Sequence, residues 1–217
     1  MALARSHPIE TKKGSDFVRR VCGYGMLDSE LALMSSDRRV TLVAQGSVSV
    51  DAFQIFQVPV PEEFQNDSKG KRIIIALAYD PPVRRRRAEY LGVDMCCYLF
   101  RNKTVEAITE AYRAITSEER RNKSVPGAIQ GSSKCNVCPG VRELSTSTLQ
   151  RCEWTPRRKF RASDTFYLLV RCERNWAPSE VTEQDFAVAV TLEANDPRLY
   201  AVVRERIPVR QRTRLRQ

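Results

Sequence analysis

From Arg38 onward, apolar and polar residues alternate with a period of two, the pattern of strands that bury one face. Val40, Leu42 and Ala44 alternate with Thr41 and Val43. Phe53, Ile55 and Gln57 alternate with Gln54, Phe56 and Val58 until Pro59 and Pro61 end the run. Lys71 to Tyr79 is almost wholly apolar, as expected of a central strand covered on both faces. Asp80-Pro81-Pro82 then stops it sharply, because proline supplies no donor to the ladder. Further strands are expected over Val93 to Phe100, Ser147 to Trp154, Thr165 to Arg174, Phe186 to Glu193 and Leu199 to Ile207. One segment changes period: Val105, Ile108, Tyr112 and Ile115 fall at helical spacing, with Thr104 or Asn102 available as N-cap, so an amphipathic helix should lie on a sheet. The polar stretch from Ser117 to Ser133 reads as a long mobile insertion. Roughly eight strands joined by loops of uneven length fit a mainly β fold. The simplest form is a two-sheet antiparallel β-sandwich, jelly-roll-like, with one inserted amphipathic helix and a short N-terminal helical segment.

Ahead of the strands, Gly23-Tyr24-Gly25 turns into Met26-Leu27-Asp28-Ser29-Glu30-Leu31-Ala32-Leu33-Met34, where Asp28 or Ser29 can cap a short helix. A helix of that length is marginal alone and must pack on something. This turn and helix resemble the C-terminal end of a subtilisin-type catalytic domain, where a Gly-x-Gly-[Leu/Met]-[Ile/Leu]-[Asn/Asp] segment leads into an Ala-rich helix. The downstream text resembles the extension carried by a group of bacterial subtilases. The matching stretches are Ser36-Asp37-Arg38-Arg39-Val40-Thr41-Leu42, Phe53 to Pro61, Ala76 to Arg84, Tyr90-Leu91-Gly92-Val93, Cys135-Asn136-Val137, Ser147-Thr148-Leu149-Gln150 and Phe186 to Leu192. The resemblance implies that residues 1–36 are the remnant of a subtilisin-like catalytic domain and residues 37–217 its accessory β-sandwich. It also implies partners: the subtilisin-like catalytic domain itself, and an AAA-type ATPase, since related bacterial subtilases are often encoded beside one.

A Ser-His-Asp mechanism requires a base to take the nucleophile's proton and an acid to hold the base in the right tautomer. The sequence contains one histidine, His7, in Arg5-Ser6-His7-Pro8. The resemblance places His7 at the end of the nucleophile-bearing helix, not at the base. The nucleophile's Gly-Thr-Ser-x-[Ala/Met] context is absent from the chain. Pairs such as Asp80 with Glu89 or Asp94 have nothing in their spacing to separate them from surface charge, so no catalytic residue is assigned. The chain is expected to be inert, although the parent the resemblance implies is a serine endopeptidase.

Composition narrows this only a little. Hydrophobic residues make up 42% and charged residues 29%, enough for a core and too ordered a mix for wholesale disorder. No run approaches the roughly 20 apolar residues that span a bilayer, and Met1 to Arg5 lacks an apolar signal region, so a cytoplasmic location and no membrane partner are expected. The net charge of +10 is concentrated in Arg84 to Arg87, Arg157-Arg158-Lys159 and Arg204 to Arg214. Solvated surface explains such runs best, and a nucleic-acid or polyanion footprint is the alternative. Tyr98 to Arg101 and Trp154 to Arg158 are the local hints of a base-stacking platform, against the commoner use of aromatics as core.

Seven cysteines, an odd number, fit free thiols better than a disulfide framework, and adjacent Cys96 and Cys97 must face opposite sides of a strand. Cys135 and Cys138 have zinc-ligand spacing, and Cys152 and Cys172 could complete a site only if their strands converge there. The competing reading is a plain turn at Cys138-Pro139-Gly140, with no metal and no cofactor. The sequence reading thus makes a test of its own. The purified chain should leave peptide substrates uncut and stay unlabelled by a serine-directed phosphonate, whereas cleavage abolished by His7→Ala would contradict it.

Overall fold

The alternating segments form strands, and the chain pairs them into two antiparallel sheets. The computed structural model describes residues 35–62, 64, 70–86, 89–116, 124–131, 135–138, 147–156, 160 and 164–206. Within them the order is β1 (Arg39–Ser49), β2 (Phe53–Gln57), β3 (Arg72–Tyr79), β4 (Val93–Arg101), α1 (Val105–Arg113), a 3-10 turn (Ile129–Gly131), β5 (Cys135–Cys138), β6 (Leu149–Trp154), β7 (Phe166–Arg174), β8 (Glu183–Glu193) and α2 (Leu199–Arg206). The larger sheet runs β1-β8-β3-β6-β5 and the smaller one β2-β7-β4. The segment with Gly23-Tyr24-Gly25 and His7 lies outside the described residues, as do Arg157 to Lys159 and the C-terminal run beyond Arg206.

Strand alternation builds the interior. On β8 the inward set is Gln184, Phe186, Val188, Val190 and Leu192, and on β6 it is Gln150, Cys152 and Trp154. These apolar members join Met95, Cys97 and Leu99 of β4 and Leu168, Val170 and Cys172 of β7 in one hydrophobic cluster, so the inner faces of both sheets share a core. β3 lies at the middle of the larger sheet, with Ile73, Ile75 and Leu77 at 1% exposure or less, which fits its unbroken apolar text. β2 stops at Gln57 before Pro59, and β3 stops at Tyr79 before Pro81.

The smaller sheet is covered on both sides. Its outer face carries Cys96, Tyr98, Phe100 and Leu169, which pack with Ile108, Tyr112 and Ile115 from α1 and its C-terminal end. Cys96 and Cys97 therefore belong to two different clusters, as strand alternation requires. Thr104 caps α1, its hydroxyl accepting the Ala107 N–H at 3.2 Å. Polar links then join the layers. The Gln150 side-chain amide donates to the Met95 carbonyl of β4, and Gln54 Nε2 donates to the Ser47 carbonyl at 2.7 Å. Near β4, Gly92 brings its backbone so close to Pro82 that a Cβ there would sit 2.9 Å from the Pro82 carbonyl oxygen.

The structure departs from or adds to the sequence reading in three places. Leu199 to Arg206 is helical rather than extended: Leu199 and Val203, four apart, are 0% and 2% exposed, and the Asp196 side chain accepts the Arg198 N–H at 2.9 Å at its start. Cys135 to Cys138 forms a further short strand at the edge of the larger sheet, while Pro139 and Gly140 of the expected turn lie outside the described residues. Within the expected Ser117 to Ser133 insertion, Val125 and Ile129 are buried. Gln130 caps the open edge of β4, accepting the Leu99 N–H at 3.0 Å and donating to the Cys97 carbonyl at 3.3 Å.

If the shared interior dominates stability, Leu77→Ala in β3 should lower the urea unfolding free energy by about 3 kcal/mol. Val43→Ala, at a position 65% exposed, should change it by less than about 0.5 kcal/mol. Equal losses at the two positions would contradict this assignment of the core.

Candidate functional site

Sulfur chemistry is where the fold places reactive groups most closely. In the β5–β6 ladder Cys135 pairs with Trp154 and Val137 with Cys152, so Cys135 and Cys152 are diagonal neighbours on the same, inward side. Their sulfurs lie 2.9 Å apart, Cys135 half-buried and Cys152 buried. The hydrogen bond between the two sulfurs holds the Cys135 thiol below its ordinary range against the opposing effect of burial. The same hydrogen bond, with burial, pushes the Cys152 thiol up. Burial also pushes up Cys97, and Cys172 to about 11.

The metal alternative drawn from sequence spacing fares differently. Cys135 and Cys138 occupy positions of opposite parity in β5, paired with Trp154 and Arg151. Cys152 does converge on Cys135, but Cys172 belongs to β7 in the other sheet, opposite Met95. Among the described residues no three potential ligands gather where a metal could sit. Sequence reasoning missed the Cys135–Cys152 pairing, because it depends on the register of a strand too short to show a period.

Arginine is used mainly to hold the fold. On the outer face of the larger sheet, Arg72 of β3 bonds Glu193 of β8 through Nε at 2.8 Å and Glu153 of β6 through Nη1 at 2.9 Å. Arg151 adds a second bond to Glu153 at 2.7 Å, and Arg39 of β1 stands 4.0 Å from Glu193. Charge thus alternates across four strands. Burial raises the Glu153 pKa, but the hydrogen bonds and charges of Arg72 and Arg151 outweigh it and hold the carboxyl below its usual value of 4.5.

Elsewhere Arg174 donates to the carbonyls of Ala177 at 3.0 Å and Val181 at 2.9 Å, tying down the loop after β7. Arg171 is 2% exposed in β7, paired with Glu173 and 5.7 Å from the centre of the Tyr98 ring. Its sequence signal is a lone arginine inside the apolar run Leu168-Leu169-Val170-Arg171-Cys172. Of the expected surface runs, Arg84, Arg85 and Arg86 are exposed, and Arg84 stacks 4.4 Å over the Trp176 ring.

The aromatic hints resolve into core. Tyr98 is 3% exposed, and Trp154, 7% exposed, stacks on Phe160 with centroids 5.5 Å apart. Lys71 sits fully buried, its ammonium 3.8 Å over the Phe160 ring. An apolar cleft of about 140 Å³ opens between β1 and β2, lined by Leu42, Ala44, Phe56, Val58, Leu168 and Val190. No described helix is long and apolar enough to cross a membrane.

Comparison with known proteins gives one relative to report. A protein of Sinorhizobium fredii (strain NBRC 101917 / NGR234), the uncharacterized protein y4bN, is 38% identical over 199 residues, which take in 89% of this chain and 44% of that protein. The chain therefore spans less than half the length of the curated relative it matches. No protein-family model matches it.

The charge ladder has a pH signature. A carboxyl whose folded pKa is depressed contributes stability that is present above its unfolded pKa and is lost as pH falls through the folded value. Wild type should lose stability below about pH 4.5 through this network, and Glu153→Gln should lose less over the same range. At pH 7 the substitution should cost only about 0.5–1 kcal/mol, because these side chains are partly exposed and screened. Parallel stability curves for the two proteins between pH 7 and pH 3 would contradict the assignment.

Proposed function

We propose that this chain is the non-catalytic C-terminal β-sandwich, jelly-roll-like in outline, of a subtilisin-like serine endopeptidase, and that it packs against the catalytic domain to stabilise or regulate it. The observation that carries the reading is the Gly23-Tyr24-Gly25-Met26-Leu27-Asp28 segment, which runs directly into strand-rich text in a chain without the nucleophile's sequence context. Two further findings support it. The described chain is organised as two antiparallel sheets around a shared interior, a form suited to an appended domain. Its similarity to y4bN covers less than half of that longer bacterial protein.

The surface proposed for docking is the cleft between β1 and β2, where apolar Leu42, Phe56 and Val190 lie beside exposed Val43. Packing there would bury apolar area on both partners and so raise the stability of each. Substrate segments and an AAA-type ATPase are the further partners this reading allows. A second reading, binding of nucleic acid or another polyanion, draws on the net charge of +10 and on exposed Arg84, Arg85 and Arg86 beside Trp176. Against it, Arg39, Arg72, Arg151, Arg171 and Arg174 face carboxylates or carbonyls of the fold itself.

The two readings separate in one experiment. Co-expressed with a subtilisin-like catalytic polypeptide from the same genome, the chain should co-purify, raise the partner's melting temperature and lose association on Val43→Asp. Halves that neither associate nor shift each other's melting would defeat the docking reading. Binding of an oligonucleotide that falls steeply with salt, without association of the halves, would establish the polyanion reading instead.

A further inference from the structure

We infer that Cys135 and Cys152 form a reversible oxidation site, at which a peroxide joins the two thiols into a disulfide that staples edge strand β5 to β6. The two sulfurs stand 2.9 Å apart on the same side of the ladder. They need approach by only about 0.9 Å to reach a bond of roughly 2.05 Å. Strand register places both side chains on the same side of the ladder, and the sulfurs are already in contact. Cys135 and Cys138, at positions of opposite parity in the same strand, lack that alignment.

Exposure divides the labour. Cys135 is half-buried on an edge strand, where a small oxidant can reach it, while Cys152 is 3% exposed beneath it. The lowered thiol is the reachable one, and its neighbour supplies the hydrogen bond that stabilises the thiolate. The Cys135 thiolate attacks one oxygen of hydrogen peroxide. The S–O bond forms, the O–O bond breaks, and hydroxide leaves to be protonated to water, giving a sulfenic acid. The Cys152 sulfur then attacks the Cys135 sulfur. The S–S bond forms, the S–O bond breaks, and the hydroxyl leaves with the Cys152 proton as a second water. In total two thiols lose two electrons and two protons, and one peroxide is reduced to two waters. A dithiol reductant reverses the change by thiol exchange.

The site would tie down a short edge strand of the larger sheet. β5 is four residues long and, among the described residues, pairs with β6 alone. A covalent link between Cys135 and Cys152 closes the chain between them and anchors the N-terminal end of β5.

The test treats the full chain with one equivalent of hydrogen peroxide, blocks remaining thiols with N-ethylmaleimide and maps the digest without reduction. The expected product is a Cys135–Cys152 linked peptide lighter by two hydrogens, lost on treatment with dithiothreitol. In Cys152→Ser the sulfenic acid should persist at Cys135 and be trapped by dimedone. In Cys138→Ser the linked peptide should form as in wild type. The inference is overturned if Cys135 proceeds to sulfinic acid with Cys152 still alkylatable, or if Cys135 links to Cys138. Zinc that the untreated protein retains through chelation, and loses in Cys135→Ser, would overturn it equally.

Discussion

Successive side chains of a strand leave on opposite faces, and in β8 that geometry sends Gln184, Phe186, Val188, Val190 and Leu192 into one interior while Asp185 stays exposed. A one-residue slip in the register of β8 against β3 would reverse every one of those assignments, so the pairing of Ile75 with Val190 and Leu77 with Val188 is strongly fixed. Each large apolar side chain buried there contributes about 1.5–3 kcal/mol. An exposed ion pair contributes about 0–1 kcal/mol. The shared core therefore outweighs the outer charge ladder in stability. The ladder of Arg39, Glu193, Arg72, Glu153 and Arg151 sits across the same strands and reports the register more than it sets it.

The interior is not wholly apolar. Gln150, 4% exposed, faces inward at a position alternation reserves for the core, and its amide is satisfied by the Met95 carbonyl of the smaller sheet. A buried amide without that partner would cost about 1–3 kcal/mol, so this contact favours one placement of the two sheets over others that bury similar area. The same alternation brings Cys135 beside Cys152 and separates Cys96 from Cys97. Thiol chemistry in this protein is thus a consequence of strand register. The CxxC spacing that first draws attention to Cys135 and Cys138 is incidental to it.

Much of this was legible in the sequence where a period had room to repeat. β1, β3, β4, β7, β8 and α1 carry six or more residues of clear pattern, and proline marks the ends of β2 and β3. β5 was hidden because Cys135-Asn136-Val137-Cys138 is too short to show a period, and its pairing partner lies beyond a stretch of polar text. α2 was misread because Leu199-Tyr200-Ala201-Val202-Val203 is a short run without polar interruption that carries no period, and its adjacent valines favour strand. Its burial at Leu199 and Val203, set by packing against the core, decided the matter. The buried Arg171 was visible as a charge in an apolar run with Glu173 two residues along the same strand face, but Tyr98 becomes its neighbour only through the β4–β7 pairing.

Amide hydrogen exchange, resolved strand by strand, tests the shared-interior account most directly. The slowest amides should be those of β3, β6, β7 and β8, the strands flanked on both sides, with β1, β2, β4 and β5 at the sheet edges exchanging sooner. Slowest exchange in α1 or α2, or a β3 that exchanges as fast as β5, would contradict it.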